Sequence, residues 1–195
     1  MTRKHHGCCL GCMGQLIVGI ILILGLFWVW ENRDIVSEPL FPTDHFEIVE
    51  VQCAQYGLDP WLIMAMIREE SRFDDNAISH VGAQGLMQLM PSTAEWVITR
   101  SEMDIDLESA LSEPSTNIQV GVWYINWLYN HFDGDLYAAV AAYNAGQTNV
   151  DHWLTEGVWD GTLEDCDQIP YPETADYLRS VWRSYKIYHI LHDSA

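Results

Sequence analysis

One carboxylate in this chain sits where acid chemistry would place it. Residues 61–71 are predicted to form a helix, with Asp59 as N-cap and Pro60 in the first helical position. At roughly 100° per residue, Leu62, Ile63, Met66 and Ile67 share one apolar face. Glu70 falls at the centre of that face, Glu69 at its edge, and Arg68 points away. A carboxyl pressed against apolar groups resists ionisation, so its pKa rises. A raised pKa is what a general acid needs near neutral pH. The same pattern also fits a structural Glu paired with Arg68 or Arg72.

A glycine-punctuated loop follows this helix. Gly82, Ala83 and Gly85 let backbone approach closely, as a groove floor requires. Leu86 and Met87 set an apolar pair beside the Gln88 amide, which can hydrogen-bond a sugar. Pro91 opens a further helix through Ser92 and Thr93.

The elements that must hold these residues read as helices throughout. An amphipathic helix is expected over residues 44–56, ending at Gly57. Others follow at 91–99, within the acidic stretch 101–113, and at 114–131, where Ile118, Val122, Ile125 and Tyr129 recur at helical spacing. Asp135 caps an alanine-rich helix that permits close contacts, carries Tyr143 and Asn144 at its end, and stops at Gly146. A short piece at 150–153 and a last helix from Pro172 to about residue 191 complete the chain. No alternating strand pattern occurs, so the class is all-α.

The pair Glu70-Ser71, the Gly-Leu-Met-Gln segment at 85–88 and Met-Pro-x-Thr-Ala at 90–94 resemble the soluble lytic transglycosylase (SLT) family, which is lysozyme-like in fold and cleaves peptidoglycan. Ala-Tyr-Asn-Ala-Gly at 142–146 is similar to another motif of that family, as is Ile169-Pro170 with Glu173-Thr174 and Tyr177. The resemblance spans roughly residues 46–190. It implies that Glu70 is the catalytic acid and that Tyr143 and Asn144 orient it or the sugar. It further implies that Gln88 hydrogen-bonds the glycan, Met87 packs on it, Tyr177 lines the site, and Glu173 contacts substrate, including its peptide stem. Ser71 belongs to the same substrate-side motif, although a structural role suits it better.

The motifs nominate one carboxylate, whereas ordinary glycosidases need two across the scissile bond. A single acid suffices if the substrate supplies its own nucleophile, and the family resemblance implies that route, ending in a 1,6-anhydro-muramoyl product. A hydrolytic muramidase using Asp74 or Asp75 as second acid is the alternative. A non-catalytic glycan-binding component of a secretion or conjugation machine is another.

The N-terminus reads differently from the rest. Arg3 and Lys4 precede an apolar run over residues 10–30, long enough at about 1.5 Å per residue to span roughly 30 Å of hydrocarbon. Trp28 and Trp30 suit an interfacial belt, and no small-x-small cleavage pattern follows. The expected organisation is a cytoplasmic start (1–9), a transmembrane signal anchor (10–30), a tether (31–43) and an exported catalytic domain (44–195). About 13 tether residues reach roughly 45 Å, which keeps the domain near the bacterial cytoplasmic membrane and suits an envelope-spanning machine.

All 28 acidic residues lie from Glu31 onward, against seven Lys or Arg, giving that part about -21. Such a surface repels nucleic acid and anionic membrane. Nine Trp and nine Tyr supply either core or aromatic groove walls. Eight scattered histidines lack metal-ligand spacing, and Asp104-x-Asp106 lacks the rest of a calcium loop, so neither metal nor cofactor is expected. Cys8, Cys9 and Cys12, with His5 and His6, form only a weak soft-metal pattern. Cys53 and Cys166 are a candidate disulfide in an oxidising compartment.

Overall fold

The computed structural model describes residues 8–31 and 38–192. The chain divides into two units, Met1–Leu40 and Phe41–Ala195. In the first, helix α1 (Cys8–Glu31) runs unbroken for 24 residues. Apolar side chains along it are open, from Ile17 through Ile21 and Leu26 to Val29. Among the described residues no helix is long and apolar enough to cross a membrane. The apolar run in the sequence extends past the described side chains at both ends. Arg3, Lys4, His5 and His6, the side chains of Cys8, Cys9 and Cys12, and tether residues 32–37 lie outside the described residues.

The second unit is helical, as expected. Its helices are α2 (Phe46–Ala54), α3 (Pro60–Glu70), α4 (Pro91–Ser101), α5 (Leu107–Ser112), α6 (Pro114–His131), α7 (Leu136–Ala145), α8 (Gln147–Thr155) and α9 (Pro172–His192). A 3₁₀ turn, Cys166–Gln168, precedes α9. Among the described residues the only β pairing is a set of isolated bridges, Ile78 to Gln84 and Gln84 to Leu89.

Local chemistry explains most boundaries. Pro60, Pro91, Pro114 and Pro172 each start a helix, where a missing N–H costs nothing. Asp59 accepts from Trp61 N, Asp106 from Ser109 N, and Asp135 from Tyr137 N and Ala138 N. The expected start of α2 at residue 44 moves to Phe46, because His45 adopts a left-handed φ of 64°. The acidic stretch 101–113 supplies only the six residues of α5, capped by Asp106. The piece expected at 150–153 extends to nine residues as α8.

α3 is the centre of the fold. Six consecutive residues, Leu62 to Ile67, are buried, so the helix threads the core rather than presenting one face to it. At roughly 1.5–3 kcal/mol for each large apolar side chain, this burial anchors the element that carries Glu70. α9 lies along α3, α6 packs on α7, and α7 contacts α8 and α9. Asp59 Oδ2 accepts from Tyr185 Oη at 2.7 Å and lies 2.9 Å from His189 Nε2, which ties the start of α3 to α9. A smaller cluster around Leu89, Val97, Leu111 and Val120 joins α4, α5 and α6.

Cys53 and Cys166 are both buried and free, which corrects the disulfide expectation. Cys53 lies on α2, which packs on α3 and α6, whereas Cys166 sits in the turn against α9. Burial, and secondarily the Asp59 charge, push the Cys53 thiol up to about 12, so it is inert.

Candidate active site

Glu70 is the last residue of α3. The helix ends there because Arg72 and Phe73 both adopt left-handed φ, 55° and 64°. Two bulky residues in that region carry a local backbone cost, of the kind that collects at functional sites. The Ser71 hydroxyl donates to Ile67 O at 3.2 Å, so it closes the helix end rather than facing a ligand.

Glu70 retains some exposure, as an acid that meets substrate must, yet the protein around it keeps its carboxyl poorly hydrated. Burial raises its pKa from 4.5 to about 7, a nearby Tyr177 hydroxyl opposes the rise, and the Glu69 charge adds to it. Among the described residues, Glu69 is the carboxylate whose charge raises the Glu70 pKa. The Tyr177 hydroxyl is buried without a partner in full hydrogen-bond geometry. It is close enough to Glu70 for each to shift the other's titration, so the contact is one of proximity rather than a formed bond. Burial first, and the Glu70 charge second, hold both the Tyr177 and Tyr143 phenols well above their usual value.

The structural-Glu pattern belongs to the neighbour instead. Glu69 Oε1 accepts from Arg68 Nη1 at 2.5 Å and from Ser184 Oγ at 2.6 Å. Asp74 accepts from Asn76 N within its own turn, and Asp75 lies 2.9 Å from His45 Nε2. These carboxylates are engaged elsewhere, and among the described residues Glu70 is the carboxyl whose pKa is pushed upward.

The loop after α3 is built as a clamp. Gln84 and Leu89 exchange backbone hydrogen bonds, and Gly85 N donates to Ala77 O. At Gly85 φ is +76°, and a Cβ there would lie 2.5 Å from Asn117 Nδ2 and 2.9 Å from Leu111 O, so only glycine fits. Gln88, with φ of 46°, donates from its amide nitrogen to Ala77 O at 3.1 Å and Gly85 O at 2.9 Å. Its N–H groups therefore hold the loop, and only the amide oxygen remains for a ligand, which narrows the expected glycan contact. Met87 is fully buried against Gly121, so it does not pack on a glycan. Its backbone carries the polar contacts: Met87 N donates to Asn117 Oδ1 at 2.8 Å, and Met87 O accepts from Tyr143 Oη at 2.9 Å. The exposed thioether of this loop is Met90, 37% open at the start of α4.

Asn144 is exposed at the end of α7, and its Oδ1 accepts from Thr174 Oγ1 at 2.6 Å. That bond joins α7 to the first turn of α9, where Glu173 is exposed. The structure thus brings Glu70, Tyr143 and Tyr177 together, with the Met87 backbone held by Tyr143. Ser71, the Met87 side chain and the Gln88 N–H groups are turned to structural use.

Sequence reasoning missed Asn117 and Ser184 and placed Thr174 in a motif without a role; all three are buried polar residues with partners far along the chain. Asn117 Nδ2 donates to Ala110 O at 2.9 Å and to Gln84 O at 3.2 Å, which completes its hold on the loop. A mid-helix Asn on an otherwise apolar face was the available signal. Beside the site lies a cleft of about 340 Å³ lined by Ser92, Thr93, Trp96, Tyr124 and Gln147. The Tyr124 ring is 5.3 Å from that of Tyr143, and Trp96 meets Trp127 at 4.8 Å. An aromatic wall therefore runs from Glu70 through Tyr143 and Tyr124 to the surface. Aromatic walls with a few polar groups are typical of ligand clefts. Among the described residues no cluster of His, Cys, Asp and Glu could hold a metal.

The profile of the Transglycosylase SLT domain matches residues 47–163. The soluble lytic murein transglycosylase of Salmonella typhimurium is 37% identical over 122 residues, which are 60% of this chain and 19% of that protein. The membrane-bound lytic murein transglycosylase C of Edwardsiella ictaluri is 32% identical over 54% of this chain and 32% of its own length. Among solved structures, an inactive mutant of the lytic transglycosylase Slt from Pseudomonas aeruginosa superposes with a TM-score of 0.72 at 33% identity, covering 78% of this chain and 25% of that one. The chain spans a third or less of each of these proteins. With its profile match over more than half its length and its helices arranged as in a solved relative, this chain belongs to the transglycosylase SLT domain family.

Proposed function

We propose that this chain is a peptidoglycan lytic transglycosylase in which Glu70 serves as both acid and base. The observation that carries this reading is a single carboxyl whose surroundings raise its pKa to about 7, beside an aromatic cleft and, among the described residues, without a second acid raised in the same way. Protonated Glu70 gives its proton to the oxygen between MurNAc and GlcNAc, and GlcNAc departs with a free 4-hydroxyl. The MurNAc N-acetyl oxygen attacks the anomeric carbon as that bond breaks, forming an oxazolinium ring. The Glu70 carboxylate then takes the proton from the MurNAc 6-hydroxyl, whose oxygen attacks the anomeric carbon and reopens the ring. A 1,6-anhydro-MurNAc end results, Glu70 is protonated again, and no water is consumed. Tyr177 and Tyr143, kept protonated by burial, orient Glu70 and the loop beside it.

Mass spectrometry of soluble products from purified peptidoglycan tests this. Muropeptides one water lighter than hydrolysis products are expected. Reducing-end products would instead make the chain a muramidase, and glycan binding without product would make it an assembly component.

Catalysis that begins with protonated Glu70 declines as pH rises through about 7. The Glu69 charge raises that pKa, so Glu69→Gln is expected to move the alkaline limb of kcat/KM to lower pH. The movement should be smaller than the effect of burial, which is the leading cause of the shift. An unmoved limb would mean that Glu69 is electrostatically silent.

We further infer that α1 is a membrane anchor, with the start of the chain cytoplasmic and the catalytic domain outside. The apolar run of residues 10–30 would, as a helix at about 1.5 Å per residue, reach roughly 30 Å, the thickness of the hydrocarbon. The open apolar side chains from Ile17 to Val29 have no stable place in water. Retention of the chain in the membrane pellet after alkaline carbonate extraction is expected, and release would remove the anchor. An anchored domain on a short tether suits work beside an envelope-spanning machine.

A further inference from the structure

A larger cleft, of about 490 Å³, lies away from Glu70 between the 163–167 turn and α9. Leu163, Cys166, Trp182 and Ile187 give it an apolar floor. Arg179, Arg183 and Lys186 stand on its rim, three of the seven basic residues beyond Glu31. At roughly 100° per residue these three fall on the side of α9 opposite Tyr177 and Ser184, which face the Glu70 end of α3. The cleft is therefore no part of the candidate active site.

Its charges are unevenly used. Arg179 pairs with Asp167, and with Asp176 at 2.7 Å. Arg183 donates to Ser180 Oγ at 3.0 Å, and among the described residues neither it nor Lys186 has a carboxylate within ion-pair distance. Glu164 is the one further acid on the rim. Two exposed cations thus stay unneutralised beside an apolar pocket, in a chain of formal charge -19.

We propose that this cleft docks an acidic peptide segment of a partner protein, which inserts an apolar side chain against Trp182 and sets carboxylates on Arg183 and Lys186. Charge complementarity selects this occupant. The lining sets Arg179, Arg183 and Lys186 against Glu164 and Asp167, and at physiological salt a Debye length of about 8 Å screens the more distant negative charge from a peptide seated there. A flat anionic membrane, or a second copy of this acidic chain, would meet that negative surface over a far wider area. The apolar floor supplies the desolvated anchor that makes such a segment hold.

The test uses the full chain in mild detergent and a fluorescein-labelled hexapeptide in which two Asp-Glu pairs flank Leu-Trp. Fluorescence anisotropy should show saturable binding that weakens by about tenfold or more in the double variant Arg183→Glu/Lys186→Glu. That variant should melt like the parent and release peptidoglycan fragments at the parental rate. Equal binding of an Asn/Gln version of the peptide, equal binding by the variant, or no binding at millimolar peptide would overturn the proposal. So would binding of dihexanoyl-phosphatidylglycerol in place of the peptide, which would mark a lipid headgroup site. A change in oligomeric state on charge reversal would instead assign the cleft to a second copy.

Discussion

Glu70→Gln is expected to abolish release of peptidoglycan fragments, by about 10⁴-fold or more, while the chain stays folded. One proton-transfer group contributes roughly 10²–10⁴ in rate, and here the same carboxyl gives a proton in the first step and takes one in the second. Gln preserves shape and can do neither. Stability should respond in the opposite sense. The folded-state pKa of Glu70, about 7, lies above its ordinary value of 4.5, so the folded chain holds a proton that the unfolded chain releases. The stability that this proton confers is fully present below about pH 4.5 and is lost as pH rises through about 7. The difference at alkaline pH is on the order of 3 kcal/mol. Glu70→Gln removes this dependence, so the variant should melt at or above the parental temperature at pH 8. Comparative calorimetry at pH 5 and pH 8, with product analysis, checks both halves. Full activity in the variant would dismiss Glu70 as the acid, and Glu69 would be the next carboxylate to replace.

Asn117→Ala is expected to cost roughly 3–5 kcal/mol of stability. Asn117 is 1% exposed, and its amide serves Met87 N, Gln84 O and Ala110 O at once. Removing it strips Met87 N and Ala110 O of that partner, each worth about 1–3 kcal/mol when unsatisfied, while Gln84 O keeps its bond from Leu89 N. At roughly 2–4 °C per kcal/mol for a domain of this size, the melting temperature should fall by about 10 °C or more. Activity should fall further than folding alone explains, because the 84–88 backbone also holds the Tyr143 hydroxyl beside Glu70. Asn117→Asp separates shape from hydrogen bonding. It keeps the acceptor for Met87 N but turns a carboxylate oxygen towards two carbonyls, so it should not rescue stability. Thermal unfolding followed by circular dichroism decides the matter, and a shift under 1 °C for Asn117→Ala would mean the clamp is idle.

The sequence by itself determined where the proline-started helices begin and which residue could be the acid. Pro60, Pro91, Pro114 and Pro172, with caps at Asp59 and Asp135, act on groups within a turn of themselves, and such short-range rules are legible in one dimension, whereas the Asp106 cap emerged only in the structure. The placing of Glu70 on the apolar side of its helix was legible for the same reason, since periodicity is local. The direction in which each neighbouring side chain turns was not. Only the tertiary structure put Met87 inside and Met90 outside, gave Glu69 rather than Glu70 to Arg68, and turned the Gln88 N–H groups onto its own loop. It also left Cys53 and Cys166 unpaired, and made Asn117 the holder of a loop 30 residues away. These outcomes depend on which helix fills the space beside each residue, as when Ser184 reaches Glu69 across 115 residues. Burial and long-range partners follow from three-dimensional packing, and no local spacing rule encodes them.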